Sequence, residues 1–180
     1  MAQRAIPVSE PPDQHDHIVV LNNATWADLQ RHLEMRQGKA VPRIVYLKGR
    51  LELMSPSRTH EAQKSNIGRL VEAWCRHQRI EFSPYGAWTL EDKEVERAVE
   101  PDECYVFGDD PEPERPDLAI EVIWTSGSID KLEVYRLLGV REVWIYQRGT
   151  LTLHALRGER YVAIDQSEVL RGIDHATLST

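Results

Sequence analysis

The chain is organised around the stretch Glu-Arg-Pro-Asp-Leu-Ala-Ile-Glu-Val-Ile-Trp-Thr-Ser, which occupies Glu114–Ser126. Its apolar residues predict a β-strand over Leu118–Trp124, in which successive side chains point to opposite faces. Asp117 and Glu121 then share one face, and that face is otherwise apolar. Burying a carboxylate costs several kcal/mol unless a cation, a metal ion or hydrogen-bond donors compensate its charge. We therefore expect a metal site beside this strand.

Length and composition predict one folded domain. A chain of 180 residues with 41% hydrophobic residues is long enough to bury a sizeable core. Residues 1–17 are polar and contain proline, so we expect a mobile N-terminal tail followed by a single domain over residues 18–180.

Cys75 and Cys104 match neither a zinc spacing nor a disulfide framework, and both are expected to be buried thiols. Without a signal peptide or an apolar membrane span, the sequence predicts a cytoplasmic protein that does not bind membranes.

Charge is distributed unevenly along the chain. The whole chain carries a net charge of −7, but Glu91–Glu121 alone holds 13 acidic and three basic residues and so carries −10. The rest is mildly basic, with several bases early in the chain. An acidic patch beside a basic body is typical of a cation site close to an anionic substrate. For residues 109–114, which include two prolines, a solvated loop is the preferred interpretation.

Periodicity and capping residues predict a mixed α/β domain. One helix should begin after Thr25 and end at Gly38, a long helix should cover Thr59–Arg79, and a third should run from a cap at Ser128 to Gly139. Strands are predicted over Arg43–Leu47, Leu51–Met54, Ala87–Leu90, Val99–Phe107, Leu118–Trp124, Glu142–Gln147 and Leu151–Leu156. This order favours a mixed central sheet flanked by helices.

Glu121 needs a second acidic ligand from another strand. Four residues of strand span about 13 Å, so Asp117 and Glu121 cannot both hold one ion. Neighbouring strands are about 4.8 Å apart, and Asp102 on the preceding strand is the best candidate because Pro101 interrupts the ladder beside it. Carboxylate ligands of this kind suit Mg²⁺ or Mn²⁺.

Lys131 is the candidate cationic group of the same site. It falls in the first turn of the helix that follows the Glu121 strand, and helical side chains tilt toward the helix N-terminus. Its ammonium can therefore reach back over the strand end, orient a water molecule and stabilise charge on a phosphoryl oxygen. The alternative is a surface lysine that pairs with Asp130 or Glu133.

Several blocks of the sequence, in this order, carry a family resemblance. They are Gly-Arg-Leu-Glu-Leu-Met-Ser-Pro at 49–56, His-Glu at 60–61, Glu-Pro-Asp-Glu at 100–103, Pro-Asp-Leu-Ala-Ile-Glu-Val at 116–122 and Gly-Val-Arg-Glu-Val-Trp at 139–144. Together they resemble the Uma family of restriction-endonuclease-like proteins, within the PD-(D/E)XK nuclease superfamily, over roughly residues 18–178. The resemblance implies a restriction-endonuclease-like fold, dependence on a divalent metal, and phosphodiester hydrolysis. It assigns Asp102 and Glu121 to the two acidic positions of the motif.

The sequence departs from the superfamily pattern at Ile123, where the motif has a lysine. The resemblance suggests that this lysine has moved to the following helix, where Lys131 already stands. It also suggests auxiliary acids at Glu52 and Glu61, which an exposed strand position and a helix first turn explain equally well. His60 either contacts substrate or helps to start the helix, and Asp117 is a further auxiliary candidate.

The sequence therefore predicts a Mg²⁺- or Mn²⁺-dependent endonuclease whose substrate is DNA. Arg43, Lys48 and Arg50 are the expected contacts to the phosphate backbone. The main alternative is a catalytically inactive module of the same fold that binds nucleic acid or protein. A glycosidase is less favoured, since the chain shows no aromatic-rich sugar cleft. The oligomeric state is left open, with a homodimer one alternative.

Overall fold

The computed structural model describes residues 15–125 and 127–174, and three helices lie within these ranges. Helix α1 covers Trp26–Arg36, α2 Arg58–Gln78 and α3 Lys131–Leu138. Thr25 caps α1 through a capping box with Asp28, which satisfies backbone N–H groups of its first turn. The predicted helices are confirmed, with the cap of α3 at Asp130 instead of Ser128. Among the described residues, no helix is long and apolar enough to cross a membrane.

Eleven strands are formed by the described residues, and their bounds agree with most of the predicted strands. They are β1 His17–Asn22, β2 Arg43–Leu47, β3 Arg50–Ser55, β4 Phe82–Pro84, β5 Leu90–Asp92, β6 Arg97–Val99, β7 Glu103–Phe107, β8 Leu118–Ile123, β9 Glu142–Gln147, β10 Thr150–Arg157 and β11 Arg160–Ile164.

The strands form two sheets where the sequence predicted one, and the mixed α/β class is confirmed. The first sheet has the order β1-β3-β2-β6-β5, and the second has the order β11-β10-β9-β8-β7-β4. Among the pairings within the described ranges, β8 with β9 is parallel, and the others are antiparallel. Helix α3 makes the crossover between β8 and β9, as parallel neighbours require.

The helices and sheets stack in layers around three apolar clusters. Helix α1 packs on the outer face of the first sheet, and α2 packs on the outer face of the second sheet through Ile67 and Val71. Helix α3 lies between the sheets, where Val134 and Tyr135 meet Val45 of β2 and Val143 of β9. The inner faces of both sheets and the start of α3 therefore converge on one buried region.

The predicted strand Val99–Phe107 is wrong as one element, because the chain crosses from the first sheet to the second between β6 and β7. Pro101 cannot continue the ladder, and the buried carboxylate of Glu100 anchors the crossing. Its Oε2 accepts a hydrogen bond from Ile44 N (3.0 Å), and Thr89 Oγ1 donates to Oε1 (2.6 Å). The crossing fixes Asp102 at the junction of the two sheets.

The predicted tail over residues 1–17 extends too far. Residues 1–14 lie outside the described residues, but Asp16 is buried and His17 begins β1. Asp16 Oδ1 accepts a hydrogen bond from Ser57 N (2.8 Å), which ties the chain to the start of α2. The folded domain therefore begins no later than Asp16. Cys75 and Cys104 are buried free thiols, as expected.

Candidate active site

Asp102 stands where the two sheets meet, with its side chain fully buried. Its Oδ2 accepts a hydrogen bond from Val122 N (2.7 Å), which joins it to the end of β8. Its Oδ1 lies 3.2 Å from Arg43 Nε and 3.0 Å from His60 Nε2. Burial favours the neutral acid, but His60, Lys131 and Arg43 outweigh burial and hold the pKa of Asp102 well below its usual range. Asp102 is therefore a fixed negative charge.

Glu121 is the second fully buried carboxylate, on the face of β8 that looks toward α3. Lys131 Nζ donates to Glu121 Oε2 (2.5 Å), and the Tyr135 hydroxyl donates to Oε1 (2.5 Å). Burial raises the pKa of Glu121, and Asp102 adds to this while Lys131 opposes it. The two carboxylates thus differ, since Asp102 is the stronger acid and Glu121 the weaker.

The two side chains that donate to the Glu121 carboxylate both come from helix α3. Asp130 caps the helix by accepting from Leu132 N and Glu133 N, so Lys131 is the first helical residue. Tyr135 follows four residues later on the same helix face. Burial disfavours the ammonium of Lys131, but Glu121 and Asp102 raise the pKa of Lys131 above its ordinary value. The lysine is therefore charged at neutral pH.

His60 is fully buried between two carboxylates. Its Nδ1 lies 3.1 Å from Asp16 Oδ2, and its Nε2 lies on the Asp102 side. Although burial opposes the charge, Asp102 and Asp16 raise the pKa of His60 to about 9. Asp16 is held by Ser57 N and by Thr125 N (3.3 Å). An imidazolium therefore links the N-terminal segment to Asp102, a role that the sequence interpretation of His60 did not include.

One of the two predicted metal ligands, Asp102, has a carboxylate oxygen that makes no well-aligned hydrogen bond. Asp102 Oδ1, Arg43 Nε and His60 Nε2 lie close together, yet none makes a hydrogen bond of good geometry with the described residues. Asp102 Oδ1 could donate a lone pair to Mg²⁺, but it would share its charge between the ion and the neighbouring Arg43 and His60. Mg²⁺ often uses one or two carboxylates and completes its shell with water and phosphate oxygens. No group of three or more His, Cys, Asp or Glu placed to hold a metal occurs in residues 15–125 and 127–174.

A cavity of about 170 Å³ opens beside these residues, between the two sheets. Most of its lining is aliphatic, and its polar lining residues are Arg43, Glu52, Thr125, Asp130, Lys131 and Gln147. Arg43 belongs to the interior of the site, because it is buried and donates to Pro101 O (2.8 Å). Arg43 therefore lies apart from the exposed Lys48 and Arg50, and its predicted contact with the phosphate backbone stays a prediction.

The other predicted residues lie at different distances from the two carboxylates. Glu61 is half-exposed and reaches the site through Arg43 NH2 (3.3 Å). Glu52 is buried and accepts a hydrogen bond from Ser128 N, so it holds the loop before α3. Lys48 and Arg50 are exposed at the β2–β3 turn, and Arg50 donates to Ser128 O (3.1 Å).

Asp117 lies at the opposite end of β8 from the site. It accepts a hydrogen bond from Phe107 N (2.9 Å) and forms an ion pair with Arg141 (3.3 Å). These contacts tie β8 to its neighbours at that end. The structure therefore brings together Asp102, Glu121 and Lys131, with His60, Glu52 and Glu61 around them, and leaves Asp117 apart.

Sequence reasoning missed Asp16 and Tyr135. Tyr135 carried a usable signal, because it stands four residues after Lys131 and such pairs share a helix face. Asp16 carried little signal, since it lies in a polar stretch that contains two neighbouring histidines and another aspartate.

Comparison with known proteins gives a family and a fold. The Uma2 family model, described as "Putative restriction endonuclease", matches residues 16–178 of the chain. A solved structure described as a putative nuclease belonging to DUF820, from Anabaena variabilis ATCC 29413, superimposes with a TM-score of 0.51 at 16% sequence identity. The match covers 77% of this chain and 84% of that one. No curated protein matches the sequence.

Proposed function

The chain belongs to the Uma2 family, and on that premise we propose that it is a divalent-metal-dependent endonuclease that hydrolyses phosphodiester bonds in DNA. The observation that carries the proposal is the pairing of two fully buried carboxylates, Asp102 and Glu121, with the ammonium of Lys131, 2.5 Å from Glu121 Oε2. A buried ion pair is often no more stabilising than apolar residues of the same volume, so stability alone does not account for this arrangement. Perturbed acids and bases grouped beside a cavity are typical of active sites.

Asp102 and Glu121 would hold the metal. Mg²⁺ or Mn²⁺ bound there would polarise the phosphate and lower the pKa of a water molecule. Asp102 is suited to this because its pKa is low and its Oδ1 has no well-aligned hydrogen bond. His60 and Arg43 on one side, and Val122 N on the other, fix the orientation of the Asp102 carboxylate.

Lys131 is the proposed group that acts on the substrate. Its ammonium has three N–H donors, and Glu121 takes one of them, so two remain for a phosphoryl oxygen and the attacking water. A positive charge held in a partly dry site stabilises the charge that develops on phosphate. Tyr135 keeps the Glu121 carboxylate in place by donating to its other oxygen.

The DNA backbone would approach from the β2–β3 turn. Lys48 and Arg50 are exposed there, and Arg50 contacts the loop that leads into α3. Association through such residues weakens steeply as salt rises, because each neutralised phosphate releases counterions. Substituting Lys48 and Arg50 together should flatten the salt dependence of binding, measured with a Glu121→Gln protein that does not cleave.

The test is hydrolysis of single- and double-stranded DNA under saturating Mn²⁺, with Asp102→Ala as the blank. Metal-dependent cleavage by the wild type and not by Asp102→Ala supports the proposal. DNA binding without cleavage of any substrate, with or without metal, would instead support the inactive binding module. Cleavage of RNA alone would make RNA, and not DNA, the substrate.

We also propose a cytoplasmic location. Cys75 and Cys104 are free thiols, both buried, and such thiols are the rule in a reducing compartment. Burial raises the pKa of Cys75 to about 11 and that of Cys104 to about 12, so neither is a reactive thiolate at neutral pH.

A further inference from the structure

The cavity next to Lys131 has the size and lining of a site for a flat ring. Its volume is about 170 Å³. An apolar cavity of about 150 Å³ in another protein is known to take up benzene, so this one has room for a single six-membered ring with substituents. Aliphatic side chains from both sheets and from the segment leading into α3 line it, including Ile18, Val45, Met54, Ile129 and Ile145.

One wall of the cavity carries a hydrogen-bond acceptor, the carboxylate of Glu52. Glu52 Oε2 accepts from Ser128 N, and its Oε1 accepts no hydrogen bond from the residues that the structure describes. A Cβ added at Gly127 would lie 2.6 Å from Oε1, so the glycine is what allows the carboxylate to occupy this position. A buried carboxylate oxygen is a natural partner for an amino group on a ring, such as that of cytosine.

The cavity is continuous with the candidate active site. Arg43 lines the cavity and also contacts Asp102, and Lys131 lines the cavity and also contacts Glu121. A phosphodiester held by Lys131 would place the attached nucleoside at the mouth of the cavity. The nucleoside, not the phosphate, matches the aliphatic lining.

We propose that this cavity binds the base of the nucleotide that flanks the scissile phosphate, with a preference for cytosine set by Glu52. The inference rests on the proposed nuclease function and specifies its substrate. A base stacked in a duplex cannot enter such a cavity, so the nucleotide must be unpaired or turned out of the helix. Single-stranded or locally unpaired DNA is therefore the substrate class.

Binding of mononucleotides tests the cavity without requiring catalysis. The probes are deoxycytidine 5′-monophosphate and 2-deoxyribose 5-phosphate, which lacks the base, each titrated into the wild-type protein by NMR in the presence of Mg²⁺. Because the base buries its faces against aliphatic side chains, the nucleotide should bind about ten-fold or more tightly than the sugar phosphate. Equal affinities would overturn the proposal.

A matched pair of variants on β1 locates the site. Ile18→Trp fills the cavity and should abolish the advantage of the nucleotide over the sugar phosphate. Val19→Trp is the control, because Val19 is the next residue on the strand, is 54% exposed and does not line the cavity. An unchanged advantage in Ile18→Trp would place base binding elsewhere and overturn the proposal. If Ile18→Trp does not fold, Met54→Phe fills the same space from β3.

The role of Glu52 has its own readout. Thymidine 5′-monophosphate has no ring amino group and should bind about ten-fold more weakly than the cytosine nucleotide. Glu52→Gln keeps an acceptor for Ser128 N but can turn an N–H toward the cavity, and it should remove this preference. Equal binding of both nucleotides to the wild type would overturn the assignment to Glu52. If the wild type cleaves no DNA, the nuclease proposal is refuted. The nucleotide titrations test base binding in the cavity independently of cleavage.

Discussion

Glu121 and Glu142 are buried glutamates on adjacent parallel strands, yet their surroundings differ in kind. Glu142, at the start of β9, accepts hydrogen bonds from Trp144 Nε1 (2.6 Å), Glu168 N (2.9 Å) and Val169 N (3.3 Å). Glu121, near the end of β8, contacts the ammonium of Lys131 and a tyrosine hydroxyl. The Glu142 carboxylate is held by neutral donors, whereas the Glu121 carboxylate is paired with a cation.

This difference separates a structural carboxylate from one that can change partners. Two of the three donors to Glu142 are backbone N–H groups, whose positions the fold fixes. Lys131 reaches Glu121 at the end of a flexible side chain that is 17% exposed and adjoins a cavity. Burial alone would mark both glutamates as unusual. The nature of the donors favours Glu121 as the proposed ligand-binding carboxylate.

The largest effect that this contrast predicts is on catalysis. Lys131→Ala should lower the rate of DNA hydrolysis under saturating Mn²⁺ by about two orders of magnitude, as expected for loss of a positioned catalytic group. The first turn of a helix tolerates alanine, so folding should persist. Lys93→Ala is the control, because Lys93 is exposed in the turn between β5 and β6 and does not line the cavity. Full activity of Lys131→Ala would make the lysine an ordinary helix residue.

The second expected effect is on stability and inverts the roles of the two glutamates. Glu142→Ala should lower the free energy of unfolding by about 4 kcal/mol, because it leaves buried donors without a partner. The double variant Glu121→Gln with Lys131→Met removes a buried ion pair as a whole and should be as stable as the wild type or more so. Urea denaturation without metal measures both. A large loss in the double variant would make Glu121 a structural group like Glu142.

The third effect is a dependence of stability on pH that originates at His60. Its pKa is about 9 in the folded protein and 6.5 in the unfolded chain, so its contribution is complete below about pH 6.5 and is lost as the pH rises to 9. The free energy of unfolding should fall by about 3 kcal/mol across this window. His60→Gln, denatured with urea in the presence of EDTA, should show a much flatter profile. A steep profile in that variant would assign the proton to another group.

The smallest effect is the stabilisation by metal. Mg²⁺ or Mn²⁺ at ten times its dissociation constant should raise the free energy of unfolding of the wild type by about 1.4 kcal/mol. Asp102→Ala should lose this response, whereas Asp117→Ala should keep it, because Asp117 lies at the opposite end of β8. Thermal denaturation with and without metal measures the effect. Equal stabilisation of the wild type and Asp102→Ala would move the metal site elsewhere.

Local patterns in the sequence were sufficient to predict the helices, the strands β2 and β3, and the family. Thr25 with Asp28 marked the start of α1, and the alternation along β8 placed Glu121 on an inner face. The proximity of Lys131 to Glu121 was also predictable, because one short loop separates the end of the strand from the start of the helix. The catalytic role of the lysine stays a prediction.

Long-range packing was not predictable from those patterns. Pro101 is expected to interrupt the ladder of one strand, whereas the chain changes sheets there. The partners that anchor Glu100 come from α1, from β2 and from Thr89 before β5, so they are not visible in the local sequence. Asp16 falls in the predicted tail, because no local pattern shows that this polar residue is buried against His60, which comes 44 residues later in the chain. The cavity likewise arises only when two sheets meet.

The link from Asp16 through His60 to Asp102 has a consequence for the newly made chain. The side chains of the site come from segments as far apart as Asp16 and Tyr135, and Asp16 also bonds to Thr125, 109 residues away. Contacts of such high sequence separation form late in folding. A ribosome-bound or half-folded molecule therefore has its acids, lysine and histidine scattered, and the proposed activity arises only when the whole domain has folded.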